Sequence, residues 1–222
     1  MQLAVVVPAY NSEQWIRETL GATVRSLEQA AASWSAALEE LRWRVIVVDD
    51  ASLDDTRTAA LDLGRAAALE VVSLESNQGQ LAATRHGVGL ARKWGAQWVA
   101  TLDDDVLVGP AFFETVVGDV KPGTVRYVRW SSSSSWRRAA SAALRRAARP
   151  FTQVTSASAI RVFDADLFDP EDRSIDVNLQ RASHACTSIT APITQHPASR
   201  SRFTATSLFA HFRAIVGSSR ET

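Results

Sequence analysis

The hydrophobic positions of this chain alternate between two rhythms. Leu3-Ala4-Val5-Val6-Val7 is a continuous, mostly β-branched run, the pattern of a strand buried on both faces. Behind it Trp15, Ile16, Leu20, Val24, Leu27, Ala31, Trp34, Leu38 and Leu41 recur at helical spacing. Asn11 is placed to cap that helix, Gln14 follows in the capping-box position, and Gly21 is placed to kink or split it. Arg44–Val48 predicts a second strand, and the second helix is expected from Asp54-Asp55-Thr56 to about Ala68. Leu69–Leu74 predicts a third strand, a helix follows Gly79 to about Trp94, and Trp98-Val99-Ala100 opens a fourth strand. Four strand–helix alternations predict an α/β fold, a mostly parallel sheet with helices on both faces. In such sheets ligands sit at the carboxyl ends of the strands.

The polar clusters fall at those ends. Tyr10/Asn11, Asp49/Asp50, Asn77/Gly79 and Asp103-Asp104-Asp105 each follow an apolar run, so they are expected to line one crevice. Three consecutive carboxylates at the end of a buried strand are costly to desolvate unless a cation neutralises them. Oxygen ligands of this kind suit Mg²⁺ or Mn²⁺, which can clamp a diphosphate. Pro8-Ala9-Tyr10-Asn11 offers neither the glycine-rich dinucleotide fingerprint nor a phosphate-cradling loop. NAD enzymes, P-loop ATPases and methyltransferase-like folds are disfavoured accordingly.

Composition changes the picture in two ways. The 222 residues are 46% hydrophobic, enough for one sizeable domain, and no linker divides them. Net charge is zero, yet residues 1–120 hold 9 Lys/Arg against 17 Asp/Glu, and residues 121–222 hold 15 against 7. No acidic residue occurs from Val120 to Phe163. An acidic half facing a basic half suits a metal site opposite phosphates or an anionic surface. Nucleic acid is not an expected partner, because no motif for it is present. The single Cys186, the absence of an apolar run near the ~20 residues of a membrane span, and a start directly into a strand predict a cytoplasmic protein. In the basic half, Arg126 and Arg129 follow a predicted strand, Ser131–Ser135 forms a loop, and a helix is expected from Trp136 to about Arg149. Arg138, Arg145 and Arg149 share one face of that helix. Further strands are expected at Ala159–Phe163 and Ser188–Ala191, a loop at Pro170–Arg173, and a last helix over Thr206–Val216.

Four segments carry a resemblance. VVVPAYN (Val5–Asn11), VIVVDDASLDDT (Val45–Thr56), SNQGQLAATRHG (Ser76–Gly87) and TLDDD (Thr101–Asp105) resemble, in order and spacing, the family 2 inverting glycosyltransferases of the GT-A fold. The resemblance implies one GT-A domain over 1–222, with the nucleotide-sugar and metal half at 1–120 and the acceptor half at 121–222. It implies that Pro8, Tyr10, Asp49 and Asp50 hold the nucleoside of a nucleotide-sugar donor, with Asn11, Asn77, Gly79 and Arg85 at matching donor-side positions. Asp103 and Asp105 then form the Asp-X-Asp pair that holds Mg²⁺ or Mn²⁺, with Asp104 as the variable middle. Asn77–Gln80, Gly123–Arg126, Ser135–Arg138 and Ser201–Thr204 look like the polyprenyl-phosphate branch of the family, although His196 and Ser199 stand where that branch carries arginine and glycine. For this branch Arg126 and Arg138 match phosphate-binding positions. The acceptor implied is a polyprenyl phosphate, met by peripheral contact at the inner face of the membrane. The alternatives are a soluble hydroxyl acceptor, for which Asp172 is the candidate base, and a non-catalytic homologue that binds a nucleotide or partner.

Overall fold

The computed structural model describes residues 1–36, 40–64, 68–118, 120–130, 160–168, 185–191 and 193–195. β1 (Gln2–Ala9) is an interior strand, with Leu3 to Val7 wholly buried. β2 (Arg42–Asp49) and β4 (Trp98–Leu102) flank it in parallel, and β3 (Leu69–Ser73) lies outside β2. Side chains alternate across a strand, so β1 feeds two cores. Leu3, Val5 and Val7 pack with Ile16, Leu20 and Leu27 of α1 (Ile16–Ala36), Ala59 and Ala60 of α2 (Thr56–Gly64), and Phe112 and Phe113 of α4 (Phe112–Val117). Ala4 and Val6 pack with Ala83, Val88 and Ala91 of α3 (Gln80–Trp94). Helices on both faces of a mostly parallel sheet are therefore observed as expected.

α3 comes unusually close to the sheet because Gly87 faces it. A Cβ there would collide with Val6 Cγ1 and come within 3.1 Å of Val48 Cγ2. Val side chains are stiff at χ1 and cannot swing away, so the helix itself must lift. Gly87→Ala is expected to destabilise the fold by about 1–3 kcal/mol through overpacking, read as a lowered denaturation midpoint at unchanged m.

Several local expectations are corrected. Asn11 does not cap α1, which starts only at Ile16 and then runs unbroken through Gly21. Asn11 adopts φ 49°, a left-handed conformation that Asn tolerates, and its Oδ1 accepts the Leu53 N–H at 2.8 Å. Instead of an Asn11–Gln14 box, the loops before α1 and α2 cap each other. The Ser12 N–H donates to Thr56 Oγ1 at 2.6 Å, the Glu13 N–H to Asp54 Oδ2 at 3.2 Å, and the Asp55 N–H to Glu13 Oε2 at 3.0 Å. Burial alone would raise the Asp54 pKa, but hydrogen bonds from Thr56 and Glu13 outweigh it and hold the carboxyl below its ordinary value.

The second half adds β5 (Val106–Val108), β6 (Thr124–Trp130), β7 (Ile160–Asp164), a 3₁₀ turn (Ala165–Leu167), β8 (Ala185–Ala191) and β9 (Ile193–Gln195). The main sheet has the order β3-β2-β1-β4-β7-β6-β8, with β7 antiparallel to both neighbours, while β5 pairs with β9 in a separate antiparallel ribbon. Arg126 and Arg129 lie inside β6 rather than after a strand, Arg126 opposite Val162 and Thr187. The expected helices at 136–149 and 206–216, the loop at 170–173, and with them Arg138 and Asp172, lie outside the described residues.

Candidate functional site

At the carboxyl edge β2 ends in two carboxylates with different tasks. Asp49 is 3% exposed and turns back into the protein, accepting the Ser52 N–H at 3.1 Å and the Ser73 hydroxyl at 3.1 Å. Asp50 is 2% exposed and faces forward; Oδ1 accepts the Gln78 N–H and Oδ2 the Gly79 N–H, both at 2.7 Å. Ala51 follows at φ 57°, a strained conformation for a non-glycine residue. Gly79 has φ 87°, which suits glycine, and leads into α3.

β4 delivers the carboxylate triplet. Asp103 is half-buried, and its Oδ1 accepts the Gln80 side-chain amide at 2.8 Å. Asp104 Oδ2 accepts the Tyr10 backbone N–H at 3.3 Å, tying the ends of β1 and β4 together. Asp105 is 9% exposed. The Asp103 carboxyl is raised to about 7, chiefly by burial and also by repulsion from Asp105 and Asp104, against the opposing Arg161 charge and Gln80 hydrogen bond. Arg161 sits on β7 opposite Thr101, two residues before Asp103.

Pro8, Tyr10, Asp50, Asp103, Asp104 and Asp105 line one open cleft of about 270 Å³. The residue expectations thus separate. Those six are brought together; Asp49, Asn11, Asn77, Gly79 and Arg85 are not among its lining residues. Asn11, Asp49 and Gly79 instead form the turns that present the cleft, and Asn77 is exposed beside it. Arg85 lies on α3 with Nε and Nη2 buried and unpartnered among the described residues. Two residues were not anticipated. Gln80 carried a legible signal, since it follows the glycine that opens α3; Arg161 carried none without the pairing of β7 to β4.

Among the described residues no three His, Cys, Asp or Glu side chains form a closed metal cage. Two carboxylates on an open side are, however, the donor set a hard divalent ion uses when waters and substrate phosphates complete its shell. Asp103 and Asp105 fit that chemistry, since both line the open cleft.

The raised Asp103 pKa sets a pH dependence in the cation-free protein. Asp103 binds its proton more tightly folded than unfolded, so its contribution to stability is full below about 3.8 and gone above about 7. Asp103→Asn cannot titrate. Its melting temperature in EDTA is expected to gain on the wild type as pH rises from about 3.8 to about 7 and then hold a constant difference. A difference independent of pH would show an ordinary Asp103.

With this geometry in view, the sequence profile named Glycosyl transferase family 2 matches residues 4–128, more than half of the 222. The chain belongs to glycosyl transferase family 2. The matched region contains every residue lining the cleft, while Arg161 falls beyond it. The dodecaprenyl-phosphate galacturonate synthase of Rhizobium johnstonii is 33% identical over 123 residues, 54% of this chain and 33% of that protein. The dolichyl-phosphate beta-glucosyltransferase of Drosophila melanogaster is 37% identical over 95 residues, 41% of this chain and 28% of that protein. The chain therefore spans a third or less of the curated relatives it matches. Glucosyl-3-phosphoglycerate synthase from Mycobacterium tuberculosis, solved with Mn²⁺, UDP-glucose and phosphoglyceric acid, superposes with TM-score 0.59 at 20% identity. The overlap covers 88% of this chain and 71% of that one, and the likeness is one of fold, the GT-A fold.

Proposed function

We propose that this chain is the catalytic domain of a family 2 glycosyltransferase that moves a sugar from a nucleotide-sugar to a polyprenyl phosphate with inversion. The observation that carries the reading is the convergence of Tyr10, Asp50 and Asp103–Asp105 on one cleft at the carboxyl edge of the sheet. The dodecaprenyl-phosphate and dolichyl-phosphate activities of the two curated relatives support the lipid-phosphate acceptor.

In this reading Tyr10, 38% exposed at the mouth, offers a face for the nucleoside, and Asp50 forms the inner wall beside it. Asp103 and Asp105 hold the divalent ion, Mg²⁺ or Mn²⁺. When bound, that ion supplies positive charge to the departing diphosphate. Arg161 adds cationic potential on the same side. The anomeric C–O bond to the diphosphate breaks as an acceptor oxygen bonds to the opposite face of that carbon. A lipid phosphate oxygen is already anionic and needs no general base, so Asp172 is required only for a hydroxyl acceptor. Among the described residues no helix is long and apolar enough to cross a membrane. The arginines between Val120 and Phe163 support salt-sensitive contact with an anionic bilayer surface.

The test is sugar transfer from a panel of labelled nucleotide-sugars to undecaprenyl phosphate in anionic vesicles, with Mn²⁺ or EDTA. Metal-dependent labelled lipid is the expected product. Labelling only of a water-soluble acceptor overturns the lipid assignment; no nucleotide release from any donor overturns the catalytic one.

A further inference from the structure

We infer that Gln80 is the positioning residue that sets the orientation of Asp103. The inference rests on the reading of Asp103 as a metal ligand. Gln80 is the first residue of α3, and the preceding Gly79 provides no side-chain cap. Its amide is nevertheless not spent on the helix end: Nε2 crosses to Asp103 Oδ1 at 2.8 Å. Among the described residues this is the one side chain hydrogen-bonded to the Asp103 carboxylate. Asp104 and Asp105 repel the Asp103 carboxylate and the Arg161 charge attracts it, and on top of these non-directional forces the Gln80 amide adds a directional bond. Asp103 lines the cleft and Gln80 engages Oδ1, which leaves Oδ2 as the oxygen for a cation in this reading.

What fixes Gln80 is equally visible. Asp50 grips the N–H groups of Gln78 and Gly79, the two residues immediately before Gln80, at 2.7 Å each. The link runs from the end of β2, through the turn and the Gln80 amide, to the end of β4. Asp50, Gln80 and Asp103 all line the same cleft, so the wall at Asp50 and the carboxylate at Asp103 are held in one frame. Ligand-orienting groups of this kind are typically worth ten- to a hundredfold in metal affinity.

The experiment titrates Mn²⁺ alone against wild type, Gln80→Leu and Asp103→Ala, reading free Mn²⁺ by electron paramagnetic resonance, with melting temperatures taken in EDTA. Gln80 is exposed, so Gln80→Leu should melt with the wild type yet bind Mn²⁺ about ten- to a hundredfold more weakly. Gln80→Asn, whose amide falls one methylene short, should show a loss in the same direction and replaces the leucine variant should that one not fold. A purely structural Gln80 would lower the melting temperature and leave the Mn²⁺ affinity of the folded protein unchanged. Loss of Mn²⁺ binding in Asp103→Ala with wild-type affinity in both Gln80 variants overturns the role of Gln80 alone. Wild-type affinity in Asp103→Ala overturns the metal-site reading itself, and the Gln80 inference with it.

Discussion

Asp105→Ala is expected to lower sugar transfer by about a thousandfold or more without a large fall in melting temperature. The carboxylate is 9% exposed and follows two others directly in sequence. Deleting it relieves like-charge repulsion in the cation-free protein, which offsets the contacts the side chain loses. Catalysis has no such offset. A nucleoside diphosphate leaves with its negative charge increasing at the bridging oxygen, and a divalent ion stabilises that charge by several kcal/mol. About 4 kcal/mol corresponds to roughly a thousandfold in rate. The measurement is turnover of the nucleotide-sugar at saturating Mn²⁺, paired with thermal unfolding in EDTA. Full turnover by the variant, or wild-type turnover that survives EDTA, would remove the metal from the mechanism.

The parts of the fold legible in the sequence were those with one dominant local signal. β1, β2 and β4 are unbroken apolar runs between turn residues, and α3 opens at a glycine and ends before Gly95 in the left-handed conformation, so their positions follow from periodicity and punctuation. Asn11 misled because its capping chemistry was real but its partner was distant: the amide oxygen finds Leu53, 42 residues on, instead of the helix beside it. The short strands Val106–Val108 and Ile193–Gln195 exist only as each other's partners, and three-residue runs carry no periodicity to detect. Within the site, the carboxylates announced themselves by standing at strand ends. The division of labour between Asp49 and Asp50 did not. Neighbouring residues leaving a strand point in opposite directions, and which one faces the cleft depends on where Ser73 and Gln78 sit. Arg161 was invisible for the same reason, since only the antiparallel placement of β7 beside β4 brings its charge to Asp103.

Asp50→Ala is expected to damage stability and binding together, which a residue that merely contacts the nucleoside would not do. The side chain is 2% exposed and accepts two backbone N–H groups at 2.7 Å. Hydrogen bonds to a charged acceptor contribute about 1.5–3 kcal/mol each, so their joint loss costs about 3 kcal/mol at the low end. In a chain of this size that is a fall of roughly 6–12 °C in melting temperature. The freed turn no longer fixes the start of α3, and the cleft loses its inner wall. Nucleoside diphosphate affinity should therefore fall about ten- to a hundredfold, measured by calorimetry below the melting transition. Asp50→Asn separates shape from charge. It fills the same space, but its amide nitrogen must face one of the two N–H donors, and two donors cannot bond. It should melt and bind nearly as poorly as the alanine variant. Wild-type melting and affinity in Asp50→Asn would mean that packing, rather than two acceptor oxygens, holds the turn in place.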